Sequence, residues 1–156
     1  MADNKNERDA ARNAGLGEIF VQTGSQPWLN FSPGIDFKVL RTSQETGAWS
    51  VLFKCAAGSS FARHEHLAAG EYLMISGTME LRGGEDHGGV TARPGDYGYE
   101  ANGSIHDDTN FPEECILYFT NFGPIRFIND NDETVFVLDY RALLAAEASA
   151  KAKLAA

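Results

Sequence analysis

Hydrophobic and polar residues alternate along most of this chain, and the alternation sets in near Asp36. In AWSVLFKC, Trp49, Val51, Phe53 and Cys55 fall on one side of a two-residue period, and Ala48, Ser50, Leu52 and Lys54 on the other. Side chains leave a strand alternately from its two faces, so the stretch predicts a strand with one drier side. EYLMISGTMELRGG follows with a break at Gly77, and RGGEDHGG sets paired glycines around an acidic tip, as a hairpin loop does. GDYGYE, CILYFTNFG and TVFVLDY add short strands at the spacing of a sandwich or barrel. Pro94, Pro112 and Pro124 stand at predicted strand ends or in loops, where a missing N–H does least harm.

The period changes at the C-terminus. In YRALLAAEASAKAKLAA, Tyr140, Leu143 and Leu144 form an i, i+3, i+4 stripe on an alanine-rich background, which predicts a helix packed on the barrel or on a neighbour. No internal repeat is visible, so a single barrel is expected. The expected organisation is an arm over residues 1–25, an all-β barrel over 26–138 and a helix over 139–156.

Composition narrows the class without changing this picture. A chain of 156 residues with 43% hydrophobic residues can close one core without disulfides or metal staples. A net charge of -9 argues against a nucleic-acid surface, because affinity for phosphates depends on Lys and Arg. Cys55 and Cys115 stand 60 residues apart and form no C-x-x-C motif, so buried free thiols are expected. MADNKNERDAARNAG has no apolar leader core, and no apolar run approaches the ~20 residues that span a bilayer, so a cytoplasmic protein without membrane contact is expected.

Candidate chemistry lies in GSSFARHEHLAAGEYLMISG. His64 and His66 are two apart, so on a strand both leave from one face and can converge on a metal ion. A third histidine, His106, follows about forty residues later in GDYGYEANGSIHDDTN, after a tight turn at Asn102-Gly103. The spacings G-x5-H-x-H-x4-E and G-x5-A-x-G-x2-H-x3-N resemble the two motifs of the cupin superfamily, with Ala101 where proline is usual. CAAGSSFARHEH, GEYLMISGTMELRGGE, DYGYEANGSIH, FPEE and FGPIRFINDN further resemble the branch of cupins that cleaves β-diketones, across residues 37 to 150.

That resemblance implies a single-domain antiparallel β-barrel with a non-haem Fe(II) held by His64, His66 and His106. Imidazole also suits Zn, Ni and Cu, so residue type does not choose the metal. It further implies a C–C-cleaving dioxygenase that takes an enolised 1,3-dicarbonyl and O2 and yields a carboxylate and an α-dicarbonyl. By the same resemblance Glu100, Arg82, Tyr72 and Thr109 serve catalysis, and Phe61 forms pocket wall. Arg82 and Glu100 could equally form a structural ion pair, and Tyr72 could be plain core. His87, in the hairpin tip, is expected to face solvent.

Two departures stand out. The cupin ligand glutamate lies seven residues before the glycine that ends its strand, whereas Glu71 lies six before Gly77 and the seventh position back is Gly70. A one-residue offset turns a side chain to the opposite face, so Glu71 is expected outside the site unless the preceding loop corrects it, with Tyr72 inward. Three neutral imidazoles would leave the ferrous centre at charge +2, which favours an anionic enolate. Secondly, Leu117 and Asn121 share one strand face where the diketone-cleaving branch carries phenylalanine at both. A larger or more polar 1,3-dicarbonyl is the expected substrate. Cleavage of a hydroxyacetophenone-type ketone, or metal binding without turnover in a sensor or regulatory domain, stand as alternatives. The arm and terminal helix suggest a homodimer or homotetramer.

Overall fold

A computed structural model describes residues 19–107 and 109–155. The first 18 residues, most of the expected arm, lie outside them. Among the described residues thirteen strands run in order: β1 (Leu29–Ser32), β2 (Ile35–Thr42), β3 (Trp49–Cys55), β4 (His64–His66), β5 (Gly70–Ser76), β6 (Met79–Leu81), β7 (Val90–Ala92), β8 (Tyr97–Glu100), β9 (Ile105–His106), β10 (Thr109–Asn110), β11 (Cys115–Asn121), β12 (Ile125–Ile128) and β13 (Thr134–Leu138). A helix, α1 (Tyr140–Ala155), closes the chain. One sheet has the order β1-β2-β3-β11-β5-β8, a second β13-β12-β4-β9 and a third β10-β6-β7.

The expected alternation decides which faces are dry. Along β3, Trp49, Val51, Phe53 and Cys55 are buried, and along β11, Cys115, Leu117, Phe119 and Asn121 are buried. The two strands pair antiparallel with Cys115 opposite Cys55, Leu117 opposite Phe53 and Asn121 opposite Trp49, so their dry faces coincide. Between them, Ser50 and Thr120 hydrogen-bond at 2.7 Å on the wet side. Inward residues of all three sheets meet in one core with Phe31, Phe61, Met79, Leu81, Ile125 and Phe127. Cys55 and Cys115 are the expected buried free thiols, brought face to face by the pairing. The hydrogen bond that the Cys55 S–H donates to the Cys115 sulfur, with burial, pushes the Cys55 thiol far up, which keeps it inert.

Gly77 ends β5 at φ 72°, a left-handed conformation costly for other residues, and a Cβ there would lie 2.2 Å from the Glu114 carbonyl. The turn into β6 therefore needs glycine on both counts. Asp139 caps α1: its Oδ1 accepts from the backbone N–H groups of Arg141 and Ala142, each at 2.9 Å. Of the expected stripe, Leu143 is buried and Tyr140 packs against the core, whereas Leu144 is only half-buried and Glu147 takes a buried position instead. No helix among the described residues is long and apolar enough to cross a membrane.

Candidate metal centre

β4 is three residues long, and its alternation sends His64 and His66 inward while Glu65 faces out and pairs with Arg126. It lies between β12 and β9, which sets His64 directly opposite His106. The turn before β9 docks on the same strand. His66 N–H donates to Ser104 O at 2.9 Å and Gly103 N–H to His66 O at 2.7 Å, with Gly103 left-handed at φ 82°. The His64 and His106 rings consequently stack at 5.3 Å, and the His66 ring lies 5.3 Å from the first and 5.2 Å from the second.

The atoms that could share one ion belong to His66, Glu100 and His106, all within 4.8 Å of one another. Glu100 Oε2 is 3.2 Å from His66 Nε2, and Oε1 is 3.6 Å from His106 Nε2. The expected set of three histidines is corrected here to two histidines and a carboxylate. The reason lies in the pairing of β5 with β8, which puts Gly70 opposite Glu100. Where the chain lacks an acid at position 70, the neighbouring strand supplies one. His64 stands beside this group with its Nδ1 2.8 Å from the Ala62 carbonyl; because that oxygen only accepts, Nδ1 carries the proton.

Burial sets the protonation states. It holds His64 and His66 down at about 4, well below the usual imidazole range, with neighbouring histidines adding to the effect. His106 is lowered by burial and then by the Arg82 charge. Glu100 moves the other way, to about 7, through burial alone. The contact between Glu100 and His66 is therefore no ordinary salt bridge at neutral pH: both imidazoles are neutral, and lone pairs meet a carboxyl that keeps a proton or shares a cation. The buried Nε2 atoms of His66 and His106 make no hydrogen bond among the described residues. Two orphaned imidazole nitrogens and a carboxylate are donor types that suit a divalent transition-metal ion, Fe(II) among them, so the ion implied by the fold fits these residues.

Beside Glu100 and His64 opens a cavity of about 460 Å³, its mouth included, walled by Phe53, Phe61, Leu117, Phe119, Ile125 and Phe127, with Tyr72 and Thr109 also exposed to it. Expected members Tyr72, Thr109, Phe61 and Leu117 are thus brought together at the site. Tyr72 lies over Gly98, its partner across β5 and β8, where an added Cβ would sit 2.1 Å from the ring. Its hydroxyl is raised in pKa by burial and then by Glu100. Asn121 is fully buried and is not among the residues lining the cavity. Arg82 is exposed at φ 53°, and among the described residues no ion pair joins it to Glu100, so the cross-strand pair does not form. Its charge still acts on Tyr72 and His106. His87 is exposed, as expected.

Glu71 is half-buried between inward Gly70 and Tyr72 and hydrogen-bonds the Tyr97 hydroxyl on the outer face of β8. The offset from Gly77 predicts this side correctly. Glu71→Gln is therefore expected to leave metal stoichiometry unchanged by elemental analysis, and stoichiometric loss of metal would contradict the placement.

Fold and site together define a β-barrel of the cupin class with a candidate metal site, and the chain belongs to the family described as the ChrR cupin-like domain, which matches residues 16–126. It is 47% identical over 102 residues to the acetylacetone-cleaving enzyme of Acinetobacter johnsonii, covering 65% of this chain and 67% of that one. The crystal structure of an acetylacetone dioxygenase from the same organism matches with a TM-score of 0.78 and 38% identity, over 83% of this chain and 91% of that chain. A candidate acetylacetone dioxygenase from Methylibium petroleiphilum PM1 matches at 0.80 and 37%, over 84% and 94%.

Two features escaped the reading of the sequence. Glu100 as a donor follows only once β5 is paired with β8, although Gly70 at the ligand position signals that another acid must be sought. Phe119 and Phe127 as cavity wall are inward by parity, but parity alone does not separate wall from core.

Proposed function

We propose that this protein is an Fe(II)-dependent dioxygenase that cleaves a C–C bond of a β-diketone or related 1,3-dicarbonyl with O2. The observation that carries the proposal is the His66–Glu100–His106 donor group at an apolar cavity, in a chain homologous to an acetylacetone-cleaving enzyme. His64, with its proton on Nδ1 and its ring against the other two, is the further donor that completes the site. Iron, when bound, supplies a chelation point for both substrate oxygens and a redox partner for O2.

The chain's own residues supply the rest. The diketone sheds its acidic central proton on binding, and Glu100, the acid among the cavity-lining residues, is the group placed to take it. With the carboxylate among the donors, a bound divalent ion and its donors would carry a net charge of +1 rather than the expected +2. Tyr72 and Thr109 present hydroxyls to the cavity, and the phenylalanine walls hold the substrate plane and exclude water. Cleavage then divides one diketone and one O2 into one carboxylic acid and one α-dicarbonyl, with all atoms accounted for.

The preferred substrate is larger and apolar. Leu117 lines the cavity, whereas Asn121 is turned away from it, so enlargement is supported and added polarity is not. The aromatic walls also suit an aryl ketone, which makes cleavage of a hydroxyacetophenone-type substrate the second reading. An outer face carrying exposed Leu73, Ile75, Tyr97 and Tyr99 supports self-association as a dimer or tetramer.

Oxygen uptake by anaerobically Fe(II)-loaded protein tests the proposal against acetylacetone, branched and aryl 1,3-diketones, carboxylated diketones and a hydroxyacetophenone. One O2 per diketone with release of a carboxylate is expected, fastest for bulky apolar members; no uptake across the panel refutes it. Leu117→Phe is expected to lower kcat/KM roughly tenfold more for an aryl diketone than for acetylacetone, since small changes in apolar pocket volume discriminate by that order. Equal effects on both would show that position 117 does not set the size limit.

A further inference from the structure

Asn121 is the buried polar residue of β11 that the proposed chemistry does not use, and its contacts dictate one arrangement. It pairs across the sheet with Trp49 on one side and Gly70 on the other. Its Nδ2 is 2.7 Å from the Gly123 carbonyl, which also accepts from Trp49 Nε1 at 2.9 Å. A carbonyl oxygen only accepts, so the amide must turn its NH2 to Gly123 and its Oδ1 to His66 Nδ1, 3.0 Å away. Oδ1 likewise only accepts. The proton of a neutral His66 ring is thereby placed on Nδ1, and the bare lone pair of Nε2 points at Glu100 and the shared donor group.

The space for this contact exists because residue 70 is glycine. A Cβ there would lie 2.6 Å from Asn121 Oδ1, 3.0 Å from the Phe119 ring and 3.2 Å from His66 Cε1. The position that carries the ligand acid in the cupin pattern is thus given over to the amide that orients a ligand histidine.

We propose that Asn121 is a positioning residue that locks His66 in its Nδ1–H tautomer and so presents Nε2 to the metal, with Gly70 as its obligatory neighbour. The proposal rests on the reading of His66 as a ligand. Outer partners of this kind orient a metal-binding imidazole and typically change metal affinity 10–100-fold when removed.

The test is made on histidine-¹⁵N-labelled, metal-free protein at pH 7.5, with long-range ¹H–¹⁵N NMR reporting the tautomer of each ring and Zn(II) affinity read by chelator competition. Wild type is expected to show His66 solely as Nδ1–H. Asn121→Leu introduces an Nε2–H population at His66, leaves the Nδ1–H form of His64 in place, and weakens Zn(II) binding roughly 10–100-fold. Asn121→Asp retains an acceptor oxygen, and recovery of the Nδ1–H form in it separates orientation from mere packing. Gly70→Ala is expected to act in the same direction as Asn121→Leu. An Nε2–H tautomer in wild type overturns the proposal whether or not the variants fold. So does a Leu variant with unchanged tautomer and unchanged affinity. Wild type that shows the Nδ1–H form yet binds no metal upholds the tautomer lock while refuting the metal-centre reading.

Discussion

Glu100→Gln is expected to stabilise the metal-free protein at pH 8 and to weaken its metal binding at the same time. Glu100 is pushed from the ordinary carboxylate range to about 7 by burial, so the folded chain holds this proton more tightly than the unfolded chain does. Its contribution to stability is therefore fully present below the unfolded value of about 4.5 and is lost as pH rises through about 7. The shift corresponds to roughly 3 kcal/mol at pH 8, or on the order of 5–10 °C in Tm for a chain of this size. An uncharged amide removes that penalty, and its NH2 can donate to His66 Nε2. His64 and His66, held at about 4, act in the opposite direction: their contribution is lost as pH falls from about 6.5 through 4, and the variant should retain that acid arm. Replacing an anionic donor by an amide should meanwhile lower metal affinity on the order of 100-fold, about 3 kcal/mol. Thermal melts of metal-free protein across pH, together with chelator competition, check both halves. A carboxyl with a purely structural role would not raise stability and lower affinity together.

His66→Ala and His106→Ala are expected to abolish metal binding for practical purposes, with affinity falling on the order of 1000-fold, about 4 kcal/mol. Each removes a nitrogen that already lies with Glu100 in one group and has no other hydrogen-bond partner among the described residues. Oxygen uptake with a diketone should disappear with the metal. His64→Ala reads the remaining donor: a loss of similar size makes His64 a full ligand, whereas unchanged affinity confines it to the cavity wall. His87→Ala, in the exposed hairpin, should change nothing. Metal analysis of the four variants, purified in parallel, distinguishes these outcomes.

What could be read from the sequence follows from what period-two alternation encodes. Trp49 to Cys55 and Cys115 to Asn121 announce their dry faces because each strand is long enough to repeat the pattern. The same logic places Tyr72 inward and Glu71 outward, from nothing more than the count to Gly77. β4 and β9 are too short to show a period, and their histidines were recognisable through motif spacing instead. The sequence does not mark Glu100 as a donor, because its closeness to His66 depends on which strand pairs with β5. Asn121 shares a face with Leu117, but depth along the strand separates them: Leu117 meets the cavity, and Asn121 lies beyond its lining against Gly70 and His66.

The most direct measurement is an anomalous difference map at the iron edge from crystals of anaerobically Fe(II)-loaded protein soaked with acetylacetone. The account predicts one peak held by the Nε2 atoms of His66 and His106 beside Glu100, with the diketone bound to the same ion in the phenylalanine-walled cavity. Iron bound without His66 and His106, or a diketone seated away from the ion, would contradict it.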